Sequence, residues 1–537
     1  MPDSSCTRIL RIPELLGLVY RYATPRTRGS LLQVSHSFFN IGAPIAWESV
    51  EGVQKLLKVI PGVFVNISEK PRHDWGYEIT ITLPPILNFA RFDLYARHIR
   101  RLEIYPRNSS DSITLKNWSM LSAHSRTHGL LPNLSQLTLT TYFGWADESE
   151  LFIWIRTFMS PSLTSLHITV KSESVLHQVS FPVARALLRH AVSNCPDLHE
   201  LSLVTSEQYK GKTLGNLALA LAFWEPSYYE SLLSLPLREL SCSTSLLLPA
   251  NIHTLNELGS LERLKLHGGS RPLDHTILWS GCKVLPQLSS LALVMVHWSD
   301  VIGILEMDIY SGVKSLIIRI ADPDDIEIEP DLIDDPLITR LMVLIARCCP
   351  ALTDLEVDCG SDYFFSPTDA SAFEALTGLA LHTVALVNMS LPLAMLENLV
   401  LFFPSASTIK VPDFSLKLSE LHYFARLPKL VHLAIGLDAS PPREPFPHQV
   451  DPMTEVAPDF QLLEIDASPA DLTVDLSPLS RYLLSIWPNL DQVAWTQGRA
   501  PGDEDYQRNI IIANALNALV STYRSISSTR QCGGGLV

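Results

Sequence analysis

Leu285-Pro-Gln-Leu288-Ser-Ser-Leu291-Ala-Leu293 is the stretch on which the fold turns. Its second half alternates, and alternation sends Leu291 and Leu293 to one face of an extended strand. Leu288 stands three residues earlier, where it tucks under the turn that enters the strand. The same Leu-x-x-Leu-x-Leu spacing, with apolar substitutes, recurs from Ile99 to Trp495. Clear copies begin at Leu134, Leu163, Leu198, Leu261, Val313, Leu352, Leu430, Phe460 and Leu490. Weaker ones begin at Ile99, Leu237, Leu381 and Ala406. A proline often stands two residues ahead, as at Pro132, Pro161, Pro196, Pro350, Pro428 and Pro488. About fourteen copies follow one another, about 24 to 39 residues apart.

The residues between copies suffice for a helix that returns the chain to the next strand. One such unit cannot bury its apolar face alone, so units must stack. The expected fold class is α/β: a horseshoe solenoid with a parallel sheet on its concave face and helices outside. Val183 to Val192 and Leu337 to Arg347 read as amphipathic helices. They end before Asn194-Cys195-Pro196 and Cys348-Cys349-Pro350, so cysteine recurs at one repeat position. That position reads as a packed turn; a vicinal redox pair at Cys348 and Cys349 is the alternative. The pattern resembles the leucine-rich repeats in a long, irregular form. The Asn or Cys that usually follows the last strand leucine in that family is mostly missing.

Composition narrows the function. The chain has 537 residues, 47% of them hydrophobic and 18% charged, which suits a large buried core rather than disorder. Forty-one basic against 56 acidic residues leave a formal charge of −15. That argues against gripping nucleic acid or anionic lipid through a global basic surface. Eight scattered cysteines without a Cys-x-x-Cys pair predict reduced thiols and an intracellular protein, cytoplasmic or nuclear. The stretch Ile9 to Tyr22 is too interrupted for a signal peptide, and the five Asn-x-Ser sequons read as chance matches. Ala375 to Leu396 lacks charge, but Gly378, His382, Asn388, Ser390 and Pro392 break it, so a buried strand and a short helix are expected instead of a membrane span.

Residues 8–50 differ in character. Ile12-Pro13-Glu14-Leu15-Leu16 opens an apolar helix, with proline where its missing N–H costs nothing. Leu31, Val34 and Phe38 are spaced for one helical face, and Trp47 closes the segment. Three short helices make a marginal core that needs a partner or a neighbouring domain. This stretch resembles the F-box, in the type that carries irregular leucine-rich repeats in fungi. The resemblance maps onto Ile12-Pro13-Glu14-Leu15, onto Leu31, Leu32, Val34, Phe38 and Phe39, and onto Trp47. It implies docking on the Skp adaptor of a cullin–RING (SCF) ubiquitin ligase. The implied contact residues are Ile12, Pro13, Leu15, Leu16, Leu31, Val34 and Phe38. Val34 and Phe38 read equally as core or as interface.

The expected organisation is an F-box-like motif at 8–50, a connecting segment at 51–95 capping the solenoid, repeats at 96–526 and a disordered tail at 527–537. The acidic run after Ala321 and the proline-rich stretch after Ser440 read as loops. Catalytic motifs, a metal-ligand spacing and a phosphate loop are absent from the sequence, so neither an enzyme nor a cofactor is predicted. The variable strand positions supply a binding hypothesis. His167, His199, Arg263, Lys265, Asp354, Glu356 and His432 would line the concave face and meet a protein substrate. A merely solvated face, with substrate held by a loop or the helical side, is the competing reading. So is an interaction scaffold whose F-box-like motif no longer binds the adaptor.

Overall fold

The computed structural model describes residues 12–69, 77–105, 112–141, 148–170, 179–206, 229–248, 251–269, 285–307, 309–321, 335–360, 370–389, 391, 393–438, 457, 459–466, 476–495 and 504–533. The acidic run, the proline-rich stretch and the final four residues lie outside them. Two compact units divide the chain, Met1–Glu262 and Arg263–Val537.

The first unit opens with three helices: α1 (Pro13–Tyr22), α2 (Pro25–Leu31) and α3 (His36–Ala46). Leu16 and Tyr20 are buried between α1 and α3, and the Tyr20 hydroxyl donates to the Phe38 carbonyl at 3.0 Å. The Tyr20 ring lies where a side chain at position 42 would be: a Cβ on Gly42 would sit 2.1 Å from its Cζ. Arg28 closes the C-terminal end of α1. Its guanidinium donates to the carbonyls of Tyr20 (2.8 Å), Ala23 (3.0 Å) and Arg21 (2.8 Å), satisfying groups the helix leaves bare. Leu31, Val34 and Phe38 do not share one helix. The Ser35 side chain accepts from the Phe38 N–H and starts a new helix, so Leu31 ends α2, Val34 lies in the turn and Phe38 belongs to α3.

The strands follow. The first unit holds β1 (Ser49–Glu51), β2 (Phe64–Glu69), β3 (Tyr77–Thr82), β4 (Arg101–Glu103), β5 (Ser112–Lys116), β6 (Gln136–Thr141), β7 (Ser165–Val170), β8 (Val179–Ser180), β9 (Glu200–Leu203), β10 (Thr205–Ser206) and β11 (Glu239–Ser243). Its main sheet is parallel, in the order β1-β4-β6-β7-β9-β11. The second unit holds β12 (Arg263–His267), β13 (Ser290–Met295), β14 (Ser315–Ile320), β15 (Asp354–Asp358), β16 (Thr383–Val387), β17 (Thr408–Lys417), β18 (His432–Asp438), β19 (Leu462–Asp466) and β20 (Gln492–Trp495). These run parallel and in chain order.

All fourteen sequence copies fall on these main-sheet strands, and their leucines pair in register, as Leu137 with Leu166 and Leu291 with Leu316. A fixed hydrogen-bond device links the coils. The carbonyl of the residue after the first leucine accepts two successive N–H groups of the next coil. Ser135 accepts from Thr164 and Ser165, Thr164 from His199 and Glu200, Lys314 from Thr353 and Asp354, and Ser407 from Val431 and His432. The first leucine of each copy is itself buried, as at Leu134, Leu163, Leu198, Leu288 and Leu352. Each such side chain contributes about 1.5–3 kcal/mol by leaving water. This repeating geometry is that of a leucine-rich-repeat stack.

Four expectations change. The ladder starts at Ser49, because Ser49–Glu51 pair with Arg101–Glu103; the boundary at residue 50/51 therefore falls inside a strand. Residues 51–95 are the crossover from β1 to β4 rather than a cap, and they carry the antiparallel β2–β3 hairpin with β5 beside β3. The final helix, Glu504–Gly533, runs through most of the tail expected to be disordered. His199 precedes β9 instead of lying in a strand. The helix predicted at 183–192 spans Phe181–Asn194, and that at 337–347 spans Asp335–Cys348. The uncharged stretch around Ala375 to Leu396 is a 3-10 turn ending at Gly378, strand β16 and the short helix Leu393–Glu397. Among the described residues no helix is long and apolar enough to cross a membrane.

Cys195 and Cys349 occupy the same turn position, three residues before the first leucine, and each accepts that leucine's N–H on its carbonyl. Both are fully buried. The Cys195 thiol faces the Ser160 carbonyl, at the equivalent position one coil earlier, at 3.3 Å. Burial, reinforced by Cys348, pushes the Cys349 thiol from 9.0 up to about 12. At pH 8 that lowers the reactive thiolate fraction about 1,000-fold. Native alkylation followed by peptide mass spectrometry is therefore expected to spare Cys349, while the denatured chain labels readily. Fast native labelling of Cys349 would contradict the packed-turn reading.

Candidate functional site

Two surfaces present the residues singled out in the sequence. The first is the outer side of α1. Ile12, Leu15 and Tyr22 are 42%, 38% and 88% exposed, and Val34, in the turn between α2 and α3, is 61% exposed. Leu18 and Val19 are exposed beside them, and Pro13 is exposed at the helix start. Leu31 and Phe38 are half-buried. Leu16 is fully buried and packs inside the helical unit, so it has no outward face to offer. Leu18, Val19 and Tyr22 were not among the expected contacts. Their signal was available, since Ile12, Leu15, Val19 and Tyr22 are spaced three and four apart.

The inner side of the unit is anchored. Trp47, just past α3, lies 4.6 Å from the ring of Tyr95, and Phe39 meets the same ring edge-on at 5.8 Å. Tyr95 belongs to the helix Ala90–Ala96 that leads into β4. The motif's aromatic residues thus fix the three helices on the first coil, leaving the α1 face outward.

The second surface is, in each unit taken by itself, the strand face bearing the variable positions, which the helices leave open. In the first unit, Glu200 Oε2 lies 3.6 Å from His167 Nε2, and Ser165 Oγ lies 2.7 Å from that same nitrogen. A nucleophilic relay needs serine and carboxylate on different ring nitrogens, so this group is not one. Burial holds the His167 imidazole below its ordinary 6.5, with Glu200 opposing. The His199 backbone carbonyl accepts from Arg238 and Glu239, and its ring rests against the Asp197 carbonyl at 3.2 Å.

In the second unit, Arg263 and Lys265 are exposed on β12. Asp354 and Glu356 share the same face of β15, three strands away, roughly 14 Å across the sheet. Arg319 donates to Glu356 Oε1 through Nε (3.0 Å) and Nη2 (2.6 Å). Asp354 accepts from the Thr353 hydroxyl at 2.7 Å. His432 Nε2 comes within 3.1 Å of Glu464 Oε2, off hydrogen-bonding direction. Arg319 and Glu464 escaped the sequence reading because cross-strand partners sit about 40 and 30 residues away in the chain. Of the seven expected substrate residues, His167 lies on β7 and His199 in the turn before β9 in the first unit, and in the second Arg263 and Lys265 lie on β12, Asp354 and Glu356 on β15 and His432 on β18. Among the described residues no group of three His, Cys, Asp or Glu could hold a metal ion.

No protein-family model matches the chain, and no curated protein matches it. Solved structures with some similarity include an internalin from Listeria monocytogenes, 12% identical, with a TM-score of 0.28 over 76% of this chain and 89% of that one. Another is TLR13 in complex with ssRNA13, 14% identical, with a TM-score of 0.30 over 74% and 60%. A third is the leucine-rich-repeat ectodomain of the plant membrane receptor kinase GASSHO1/SCHENGEN3 from Arabidopsis thaliana, in complex with CASPARIAN STRIP INTEGRITY FACTOR 2. It is 13% identical, with a TM-score of 0.25, over 75% of this chain and 45% of that one. The repeat architecture stands on the strand ladder and its recurring hydrogen bonds.

Proposed function

We propose that this chain is the substrate receptor of an SCF-type cullin–RING ubiquitin ligase, with no catalytic step of its own. The three N-terminal helices dock on the Skp adaptor, and the open strand face of each unit offers contacts to a protein substrate, through His167 and His199 in the first unit and through Arg263, Lys265, Asp354, Glu356 and His432 in the second. One observation carries the adaptor half. A three-helix unit is pinned by Phe39, Trp47 and Tyr95 on one side and displays Ile12, Leu15, Leu18, Val19, Tyr22 and Val34 on the other. Exposed apolar residues in one helix-centred patch suit a protein interface in which a few anchors dominate.

Purified full-length chain is expected to bind the cognate Skp adaptor. Leu15→Ala with Val34→Ala should weaken binding at least about tenfold, since two such anchors are each worth about 1 kcal/mol or more. Both residues are exposed, so circular dichroism of the double variant should match the parent. Equal binding by the variant would reject Leu15 and Val34 as the anchors, and failure of the parent to bind rejects the receptor reading. The protein would then be an interaction scaffold.

A further inference from the structure

We infer that the C-terminal helix is a strand surrogate: Asn517 and Arg524 stand in for a missing strand on the free edge of β20, and this clamp keeps that edge from pairing with a second copy of the chain. In a parallel sheet, alternate residues direct both N–H and C=O to opposite sides of a strand. Gln492 turns toward β19, where its N–H meets the Gln461 carbonyl. Val493 therefore turns outward, with no further strand among the described residues to receive it. Asn517 answers both groups. Its Oδ1 accepts from the Val493 N–H at 2.7 Å, and its Nδ2 donates to the Val493 carbonyl at 2.9 Å.

Arg524 holds the other end. Its Nη1 donates to Asp491 Oδ1 at 3.0 Å and lies 3.4 Å from the Leu490 carbonyl. The spacing explains why these two positions serve. Seven helical residues rise about 10.5 Å, and the extended stretch from Leu490, just before β20, to Val493 spans about 10 Å. Asn517 and Arg524 are two turns apart on one face, and Ala513, Leu516 and Val520 on that side are buried. The helix runs antiparallel to β20, and the Tyr523 hydroxyl ties it to Ser477 at 2.8 Å. An unpaired edge is a template for another edge, and here a single amide side chain fills the outward ladder position at Val493.

The test uses the full chain carrying Asn517→Leu with Arg524→Ala, read by amide hydrogen exchange and by light scattering over a concentration series. Protection of the Val493 amide should fall at least about tenfold, while Leu433 and Ile435 in β18 stay protected. The variant should associate with rising concentration, and the parent should not. Asn517→Asp keeps the acceptor for the Val493 N–H, so it should retain most of that protection and remain monomeric. Unchanged Val493 exchange, or a deprotected edge that stays monomeric, overturns the inference. So does equal loss of protection in β18, which would mean general unfolding.

Discussion

Gly42→Ala is expected to break the helical unit while sparing the repeats. The added methyl would overlap the Tyr20 ring, which is buried against α3 and donates to the Phe38 carbonyl. Overpacking costs about 1–3 kcal/mol, and the displaced hydrogen bond adds about 1 kcal/mol. A unit of three short helices has little stability of its own to absorb that loss. Hydrogen exchange should show α1 opening, and adaptor capture should fall with it. The unfolding midpoint of the second unit should not move. Tyr20→Phe isolates the hydroxyl and should cost only about 1 kcal/mol. Adding Tyr20→Ala to Gly42→Ala should recover part of the clash, so the two changes will not add. Additive costs would show that Gly42 does not act through Tyr20.

Trp487→Ala is expected to be the most damaging single truncation near the end of the stack, at about 3–5 kcal/mol. Trp487 occupies the turn position equivalent to Cys195 and Cys349, accepts the Leu490 N–H and stacks on Phe460 at 4.2 Å. Both rings are fully buried. Its indole N–H has no hydrogen-bond partner among the described residues, and a buried orphan donor costs about 1–3 kcal/mol. Trp487→Phe removes that donor, keeps an aromatic ring against Phe460 and should stay within about 1 kcal/mol of the parent. Denaturant unfolding of both variants checks this. A Trp487→Ala cost below about 1 kcal/mol would mean that the coil collapses into the space.

Most of the fold was legible because its rule is local. A leucine three residues before an alternating pair specifies a turn and a strand face, so even weak copies such as Ala406-Ser-Thr-Ile409-Lys-Val411 landed on a strand. The copy at Trp47-Glu-Ser-Val50 was missed because Gly52 stands where the last leucine belongs. There the positive φ of 89° lets the chain turn into the helix Val53–Leu57. The candidate surfaces were only partly legible. Helical spacing could nominate α1, but it could not tell Leu16 from Leu15. One faces Tyr20 and α3 while the other faces water, and that depends on how α3 is laid across α1.

By itself the sequence determined the repeat, the strand faces and the acidic composition, since these follow from residue periodicity and count. Tertiary structure alone decided which partners meet. Arg319 finds Glu356, Tyr95 finds Trp47, and Asn517 finds Val493, because the folded chain places residues 24 to 48 positions apart side by side. Each pairing depends on the course of the intervening chain, and a strand pattern holds no record of that.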